Sequence, residues 1–392
     1  MNWSRLARMS LLALALSAAG CGGGGGIGGT GSPAGAMHVS LGDAPACGYD
    51  AVNVTIEKVR VHQSASASDT DAGWSEIVLS PARRVDLLTL TNGVLEDLGQ
   101  TSLPAGKYTQ LRLVLASNDA TTPFANSVMP TGGSETALDT PSAQQSGLKL
   151  NADIDVPADK VVDLVIDFNA CKSVVRRGNS DKYNLKPVLS VTQVLSDAGM
   201  RVVGYVDPSI ASTGTGVSVQ SGGTVVKATV PDLTGKFVLY PVPVGTYDLV
   251  VTSTGHVTAV MTGVPVITTA YTYVNSAPVP IAPAMSASAP RSVTGTVSPA
   301  SATLRALQTF ATGPAIEAQW APVDGTTGAF QFSLPVDAPV KVAYVANPTT
   351  LAFVPDASAA GKYTIEASYA GASKSQAIDA SAPVASLNFT FP

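Results

Sequence analysis

The sequence predicts an all-β protein made of tandem β-sandwiches behind an export signal, and two observations lead to this fold class. Apolar and polar residues alternate in many short segments, as half-buried strands require. Glycine and proline are frequent, with 36 and 27 of 392 residues, and they follow no three-residue period, which favours tight turns over collagen. The length predicts about two to four domains.

The first twenty residues have the features of an export signal. Arg5 and Arg8 form a basic start, residues 11–19 form an apolar core, and small residues precede Cys21. That core is too short for a membrane span, which needs about 20 apolar residues. We therefore predict a cleaved signal peptide over residues 1–20.

Small residues directly before a cysteine resemble the lipobox of bacterial lipoproteins. The resemblance implies a lipid on Cys21, a glycine-rich tether over residues 21–36 and, because Gly22 is not aspartate, attachment to the outer membrane. Its periplasmic or surface face is left open. Ala18 departs from the leucine usual in that family, so the alternative is a secretory signal cleaved near the same position.

The cysteines predict one disulfide and no metal site. Besides Cys21, the chain has only Cys47 and Cys171, and an even pair in an oxidising compartment favours a bridge between them. Two unlinked buried thiols are the alternative. With only three histidines in the chain, a structural zinc site is not expected, and no cofactor is expected.

Period-two alternation predicts strands, and no long segment has a helical period. We expect the polar residues between the apolar ones, such as Gln110, Arg112, Asp163 and Asp167, to face away from the core. The residues predicted to face inward are Leu111, Leu113 and Leu115; Val162, Leu164, Ile166 and Phe168; Tyr247, Leu249 and Val251; Phe330, Phe332 and Leu334; and Leu387, Phe389 and Phe391.

Turn signals and an internal repeat organise these strands. Residues 91–93 (Thr-Asn-Gly) and Asp324-Gly325 predict hairpins. Two segments share a motif order that predicts a glycine turn followed by an inward tyrosine. The paired motifs are Val203-Gly204-Tyr205-Val206 with Val293-Thr294-Gly295-Thr296-Val297, Thr234-Gly235-Lys236-Phe237 with Thr327-Gly328-Ala329-Phe330, and Gly245-Thr246-Tyr247 with Gly361-Lys362-Tyr363; Pro104-Ala105-Gly106-Lys107-Tyr108 is a third copy of the last.

Six stretches of the first segment match one bacterial lipoprotein family in the expected order: residues 40–45, 51–56, 86–88, 103–108, 163–168 and 185–188. On these stretches, residues 37–197 resemble that family, which is called domain of unknown function 4382. Residues 198–285, which contain the first copy of the repeat, resemble the carboxypeptidase regulatory-like domains of the transthyretin-like group, and residues 286–392 are similar to the same plan with a longer middle. These resemblances imply seven-stranded β-sandwiches without catalysis for the second and third segments, and an uncharacterised activity for the first.

Catalytic and ligand-binding chemistry is sparse. The chain has no G-x-S-x-G elbow and only His38, His62 and His256, so an enzyme is not expected. Carboxylates at residues 69, 71, 153, 155 and 159 predict solvated turns rather than a calcium site. Trp74 and Trp320 are candidates for stacking on a sugar ring, with burial in the core as the alternative.

The sequence thus favours a non-catalytic cell-envelope lipoprotein: a lipid anchor, a tether and three sandwiches in succession that bind or scaffold another surface component. The partner, protein or glycan, is not identified. With 13% charged residues and a formal net charge of −5, nucleic acid is excluded as a partner. The alternative is a carbohydrate-binding lipoprotein that presents glycans to an uptake or degradation system, and a third option is an accessory subunit of a separate enzyme.

Overall fold

The computed structural model describes residues 33–43, 48–141, 146–178, 180–211 and 214–392. These residues are nearly all β, which confirms the predicted fold class of tandem sandwiches. The described helical pieces are α1 (Ala170–Ser173) and two 3-10 turns at Leu87–Thr89 and Ala357–Ala359. Within the described part of the chain, no helix is long and apolar enough to cross a bilayer.

The first sandwich packs a four-stranded sheet against an eight-stranded sheet. Its strands are β1 (Ala34–Asp43), β2 (Tyr49–His62), β3 (Ser75–Asp86), β4 (Glu96–Pro104), β5 (Gly106–Leu115), β6 (Ser127–Pro130), β7 (Thr136–Asp139), β8 (Leu148–Val156), β9 (Val161–Phe168), β10 (Val174–Arg176), β11 (Tyr183–Leu185) and β12 (Leu189–Val194). The smaller sheet has the order β12-β9-β1-β4, and the larger has the order β10-β11-β7-β6-β2-β5-β8 with β3 added beside β2. One buried apolar cluster joins the two sheets.

The second and third sandwiches each contain a three-stranded and a four-stranded core sheet with the same connectivity. The second uses β13 (Val202–Tyr205), β14 (Gly216–Ser221), β15 (Thr224–Thr229), β16 (Lys236–Leu239), β17 (Gly245–Thr252), β18 (Ala259–Val266) and β19 (Thr272–Tyr273). The third uses β20 (Arg291–Ser298), β21 (Thr303–Thr309), β22 (Ala315–Ala321), β23 (Ala329–Leu334), β26 (Lys362–Tyr369), β27 (Ala372–Asp379) and β28 (Leu387–Thr390). The sheet orders are β16-β13-β19 and β15-β14-β17-β18 in one, and β23-β20-β28 and β22-β21-β26-β27 in the other.

Two further strands of the third segment join the second sandwich. β24 (Val340–Ala343) pairs parallel to β18, and β25 (Val354–Pro355) pairs with β24. This insertion is the longer middle that distinguishes the third segment from the second. It extends the sheet of the second sandwich to six strands. The second and third sandwiches are therefore joined by backbone hydrogen bonds between β18 and β24 as well as by the chain that connects them.

The repeated glycines occupy equivalent, sterically closed positions. Gly235 and Gly328 have φ of +83° and +70°. A Cβ at either one would lie 2.1 Å from a carbonyl oxygen, that of Val206 and that of Val297 respectively. Only glycine fits both the backbone conformation and the contact, so the sequence repeat reflects one backbone geometry used twice.

The tyrosines that follow the other glycine turns fix strand entries. The hydroxyls of Tyr108 and Tyr247 donate to the carbonyls of Pro104 and Pro243, four residues earlier, at 2.8 and 2.9 Å. Tyr363 differs, because its hydroxyl donates to Pro335 at 2.7 Å, across the insertion. Burial raises the pKa of all three phenols, which therefore stay protonated donors at neutral pH.

The inward residues predicted for five strands are all buried, but two outward predictions are wrong. Gln110 and Arg112 are 0% and 5% exposed because the loop after β2 covers their face of the sheet. The Arg112 guanidinium donates to Gln110, to the carbonyl of Ala67 at 2.7 Å and to that of Ser146 at 2.8 Å. A loop thus provides the hydrogen-bond acceptors that an exposed arginine finds in water.

The turn at residues 91–93 is real, but the hairpin prediction is wrong. Asn92 and Gly93 have φ of +58° and +80°, as a tight turn of this sequence requires. The strands on either side belong to different sheets, since β3 pairs with β2 and β4 pairs with β1. At Asp324-Gly325 the pairing is a single bridge between Val323 and Phe330. Turn chemistry therefore predicted the local bend but not the strand partners.

Candidate functional site

The three sandwiches meet at one junction, where each contacts the other two. Lys227 of β15 forms an ion pair with Asp167 of β9, and their side chains are only 7% and 14% exposed. Between the second and third sandwiches, Val250 and Val260 pack in one buried cluster with Phe310. The sandwiches are therefore not a string of separate modules.

The first and second sandwiches are also joined through the turn at Asn92. Its backbone N–H donates to the Thr229 hydroxyl at 2.7 Å, and its side-chain oxygen accepts from the N–H of Val238 at 2.5 Å. The positive φ of Asn92 points this short amide at the neighbouring sandwich, where it pairs with backbone as a strand would.

The first and third sandwiches are joined through α1. The side-chain oxygen of Asn169 caps this short helix by accepting from the N–H of Lys172 at 2.9 Å. The cap holds Lys172 so that its ammonium lies 2.7 Å from the carboxylate of Glu317, whose side chain is 9% exposed. Lys186 adds a contact to the carbonyl of Ser301, and burial lowers the pKa of its ammonium.

Gln220 connects the same glutamate to the second sandwich. Its side-chain amide donates to the carbonyl of Glu317 at 3.0 Å, and its carbonyl accepts from the N–H of Glu317 at 2.7 Å. This pairing satisfies the backbone of β22 where it meets β14, and Gln220 is 1% exposed. Glu317 is therefore held from two sides, by the backbone pairing and by Lys172.

A cavity of about 250 Å³ opens beside these residues. All three sandwiches line it: Asn169, Cys171 and Lys172 from the first, Ser218 and Gln220 among others from the second, and Glu317, Gln319 and Trp320 from the third. An aromatic ring together with a few amide, hydroxyl and charged groups is the common make-up of a small-molecule site. The chemistry available there is recognition by stacking and hydrogen bonding.

Of the two candidate tryptophans, only Trp320 lies at this cavity. Trp74 packs in the first sandwich, with the guanidinium carbons of Arg60 and Arg112 at 4.5 and 4.8 Å from its ring centre. Its indole N–H donates to the carbonyl of Ser68 at 2.9 Å. The ring of Trp74 thus already has cation–π partners and fixes the loop that covers Arg112.

Cys171 is disulfide-bonded and lines the same cavity. Its predicted partner Cys47 and the predicted lipidation site Cys21 lie outside the described residues, so the Cys47 to Cys171 pairing stays a prediction. The bond restrains α1 and therefore the position of Lys172, the next residue along the chain.

The remaining candidates are ordinary surface groups. Asp71 accepts from the N–H and the hydroxyl of Ser68, which lowers the pKa of its carboxyl. Asp153 is paired with Lys107 at 2.7 Å. His38 lies between Asp97 and Asp163, at 3.0 and 2.9 Å. Over the described ranges, no group of three or more histidine, cysteine, aspartate or glutamate side chains is placed to hold a metal ion.

Sequence reasoning missed most of the junction. Lys172, Gln220 and Glu317 belong to no motif in the chain, and Asp167 was expected to face away from the core. The one available signal was Lys227, within the apolar stretch of residues 225–228. A lysine is rarely buried without a partner, so a lysine on an otherwise apolar strand indicates that a polar or oppositely charged group covers that strand. The partner of that charge is set by domain packing, which the pattern does not encode.

Comparison with known proteins adds one family match. No curated protein matches the chain. Two solved structures, a C-terminal and an N-terminal interface mutant of a type II cohesin–X-dockerin complex from Acetivibrio cellulolyticus, are similar to 23% of this chain at 28% and 23% identity, each with a TM-score of 0.20. The chain spans 61% of the length of those chains. Residues 34–187 match a family model described as a domain of unknown function, DUF4382, which confirms the resemblance predicted for the first sandwich.

Proposed function

We propose that this protein is a non-catalytic cell-envelope lipoprotein that binds or scaffolds another envelope component and is attached to the outer membrane through Cys21. The basic start, short apolar core and small residues before Cys21 support the anchor. Several acyl chains on one cysteine give a permanent attachment, at about 0.8 kcal/mol per buried methylene.

The observation that supports the binding role is the junction, where contacts between the three sandwiches hold them in one arrangement. Each pair of sandwiches is connected by specific contacts, including the Lys227–Asp167 and Lys172–Glu317 ion pairs and the parallel pairing of β24 with β18. A body held in one arrangement presents its surfaces without the entropy cost of ordering them on binding. Such preorganisation favours a binding or scaffolding protein.

The second and third sandwiches are proposed to be carboxypeptidase regulatory-like modules of the transthyretin-like group. Their shared arrangement of three and four strands, with the repeated glycine and tyrosine motifs at equivalent positions, supports this assignment. Fold analogy alone does not supply a function, so the assignment concerns architecture, and the modules are taken as accessory rather than catalytic.

Membrane fractionation and mass spectrometry test the anchor. In cells that make the full chain, the protein is expected in the outer-membrane fraction with an acylated amino-terminal peptide that begins at Cys21. The Cys21→Ala variant is expected to lose the acyl mass and leave the membrane fraction. Surface proteolysis of intact cells then assigns the periplasmic or surface face. An uncleaved, unmodified amino-terminal peptide in the wild type refutes the lipoprotein assignment.

Chemical cross-linking in intact cells tests the scaffolding role. The wild type is expected to give a defined cross-linked product with another envelope protein, whereas purified protein that turns over a substrate by itself contradicts a non-catalytic role.

A second candidate function, carbohydrate binding, is favoured by one specific observation, the position of Trp320 beside the junction cavity. An indole ring next to amide and hydroxyl groups suits the apolar face and the hydroxyls of a sugar ring. Binding on a glycan array separates this function from protein scaffolding, since a scaffold that recognises only protein gives no signal.

A further inference from the structure

We propose that three neighbouring cavities along the junction form one groove that binds a neutral, linear oligosaccharide, with Trp320 as its stacking platform. The inference rests on the carbohydrate-binding candidate above and specifies where and what the protein binds. Ligand recognition is thereby assigned to the place where the three sandwiches meet, rather than to any one of them.

Shared wall residues connect the cavities. The cavity of about 250 Å³ at Trp320 shares Asn169 and Lys172 with a smaller one of about 130 Å³ that ends at the Lys227–Asp167 pair. On its other side it shares Thr252 and Gln319 with a cavity of about 280 Å³ between the second and third sandwiches. The recess is therefore elongated, and an extended chain of sugar rings fits it better than a single compact molecule.

The lining chemistry indicates a polyhydroxylated ligand. The far cavity is lined by several short polar side chains, among them Thr252, Ser253, Thr254 and Ser286. The central cavity adds amides from Asn169 and Gln319 beside the indole of Trp320. Hydroxyls and amides both donate and accept hydrogen bonds, as the alternating donors and acceptors of sugar hydroxyls require, while the indole covers an apolar ring face.

The charges of the groove indicate that this ligand is neutral. Among the described residues that line the three cavities, the lysines and carboxylates are Lys172, Glu317, Lys227 and Asp167, and His256 adds an imidazole. The first four form two ion pairs, each of one lysine and one carboxylate: Lys172 with Glu317, and Lys227 with Asp167. Among the described lining residues, every lysine is paired with a carboxylate, so the desolvation cost of a phosphate or an acidic sugar is not offset by a free lysine or arginine.

Because the groove is built from all three sandwiches, its ligand stabilises their packed arrangement. A molecule that binds only the assembled junction raises the melting temperature of the full chain by an amount that grows with the logarithm of its free concentration above the dissociation constant. Any ligand of the folded chain gives such a shift. The shift therefore reports binding to the native state, and loss of binding in a Trp320 variant is what assigns that binding to the groove.

Calorimetric titration of the full chain with defined oligosaccharides tests the proposal. The probes are the tetra- to hexasaccharides of glucose, mannose, xylose and N-acetylglucosamine, together with an acidic galacturonic acid hexamer. At least one neutral series is expected to bind and to raise the melting temperature, while the acidic hexamer does not bind. The Trp320→Ala variant is expected to weaken that binding about tenfold or more, the size usual for an aromatic anchor.

Two variants serve as controls. Trp320→Phe keeps an aromatic face and is expected to retain most of the affinity, which separates loss of stacking from loss of folding. Tyr273→Ala removes an aromatic ring that is 49% exposed on β19, away from the groove, and is expected to leave binding unchanged.

Each alternative outcome overturns a different claim. Failure of every neutral probe to bind at about 1 mM overturns the ligand class and the carbohydrate-binding candidate with it. Binding that is unaffected by Trp320→Ala overturns this groove but leaves carbohydrate binding intact. Preferential binding of the acidic hexamer refutes the neutral ligand. None of these results bears on the lipid anchor, which fractionation tests separately.

Discussion

Replacement of Lys227 by methionine tests whether the junction holds the sandwiches together. Lys227 reaches across from β15 to Asp167 on β9, and both side chains are largely shielded from water. Methionine keeps the length and apolar body of the side chain but removes the charge. Asp167 then remains covered by the second sandwich without a counter-ion.

The expected loss follows from the burial of the pair. A buried ion pair that loses one member costs about 3–5 kcal/mol, because the remaining charge stays desolvated. Lys227 and Asp167 are 7% and 14% exposed, so most of that penalty applies.

Equilibrium unfolding in urea, followed by circular dichroism at pH 7, measures this loss. The matched control is Lys362→Met, which breaks a lysine–aspartate pair whose side chains are 62% and 48% exposed and is expected to change nothing measurable. The double variant Asp167→Leu with Lys227→Leu removes both charges and is expected to recover most of the stability. A loss below about 1 kcal/mol for Lys227→Met, or a double variant no better than the single, refutes a buried electrostatic lock.

Three further predictions concern other parts of the fold. Gly328 has a φ of +70°, and a Cβ there would lie 2.1 Å from the Val297 carbonyl oxygen, so Gly328→Ala is expected to lower the free energy of unfolding in urea by about 3 kcal/mol or more. Gly371 has a φ of +82°, but a Cβ there would meet open space, so Gly371→Ala is expected to lower it by about 1 kcal/mol. Tyr247→Phe is expected to cost about 1 kcal/mol by removing a 2.9 Å hydrogen bond; an unchanged urea midpoint contradicts it. Hydrogen bonds from Thr121 and Thr122 lower the pKa of Asp119 to about 2, so this carboxylate stabilises the fold above about pH 4 and loses that effect toward pH 2. The free energy of unfolding of Asp119→Asn, measured against pH, is therefore expected to fall less steeply over this range than that of the wild type.

The repeat illustrates how far the sequence predicted the fold. The paired glycine motifs and the alternating apolar residues forecast two sandwiches of one plan, and the structure gives both the same strand order. The repeated glycines were readable because the positive φ of each turn is a local requirement, whereas the carbonyl oxygens that a Cβ would meet belong to Val206 and Val297, on distant parts of the chain. The departure of β24 and β25 into the neighbouring sheet was not readable, because a short apolar strand pairs equally well with several edges.

The candidate site was readable only in part. Trp320 and Trp74 were both singled out for their residue type. The ring of Trp74, however, is already covered by Arg60 and Arg112. Residue type alone did not separate the two, because the difference arises from which loop or domain covers each indole. Arg112 shows the same limit, since its alternating position forecast exposure whereas a covering loop buried it.

By itself, the sequence determined the all-β class, the inward faces of the strands, the turns and the repeat. Each of these depends on neighbouring residues, on a period of two or on a backbone conformation open to glycine. Only the tertiary structure decided that Lys172, Gln220, Glu317 and Trp320 line one junction. Contacts between residues about a hundred positions or more apart arise from the packing of whole sandwiches, and that packing leaves no period in the chain.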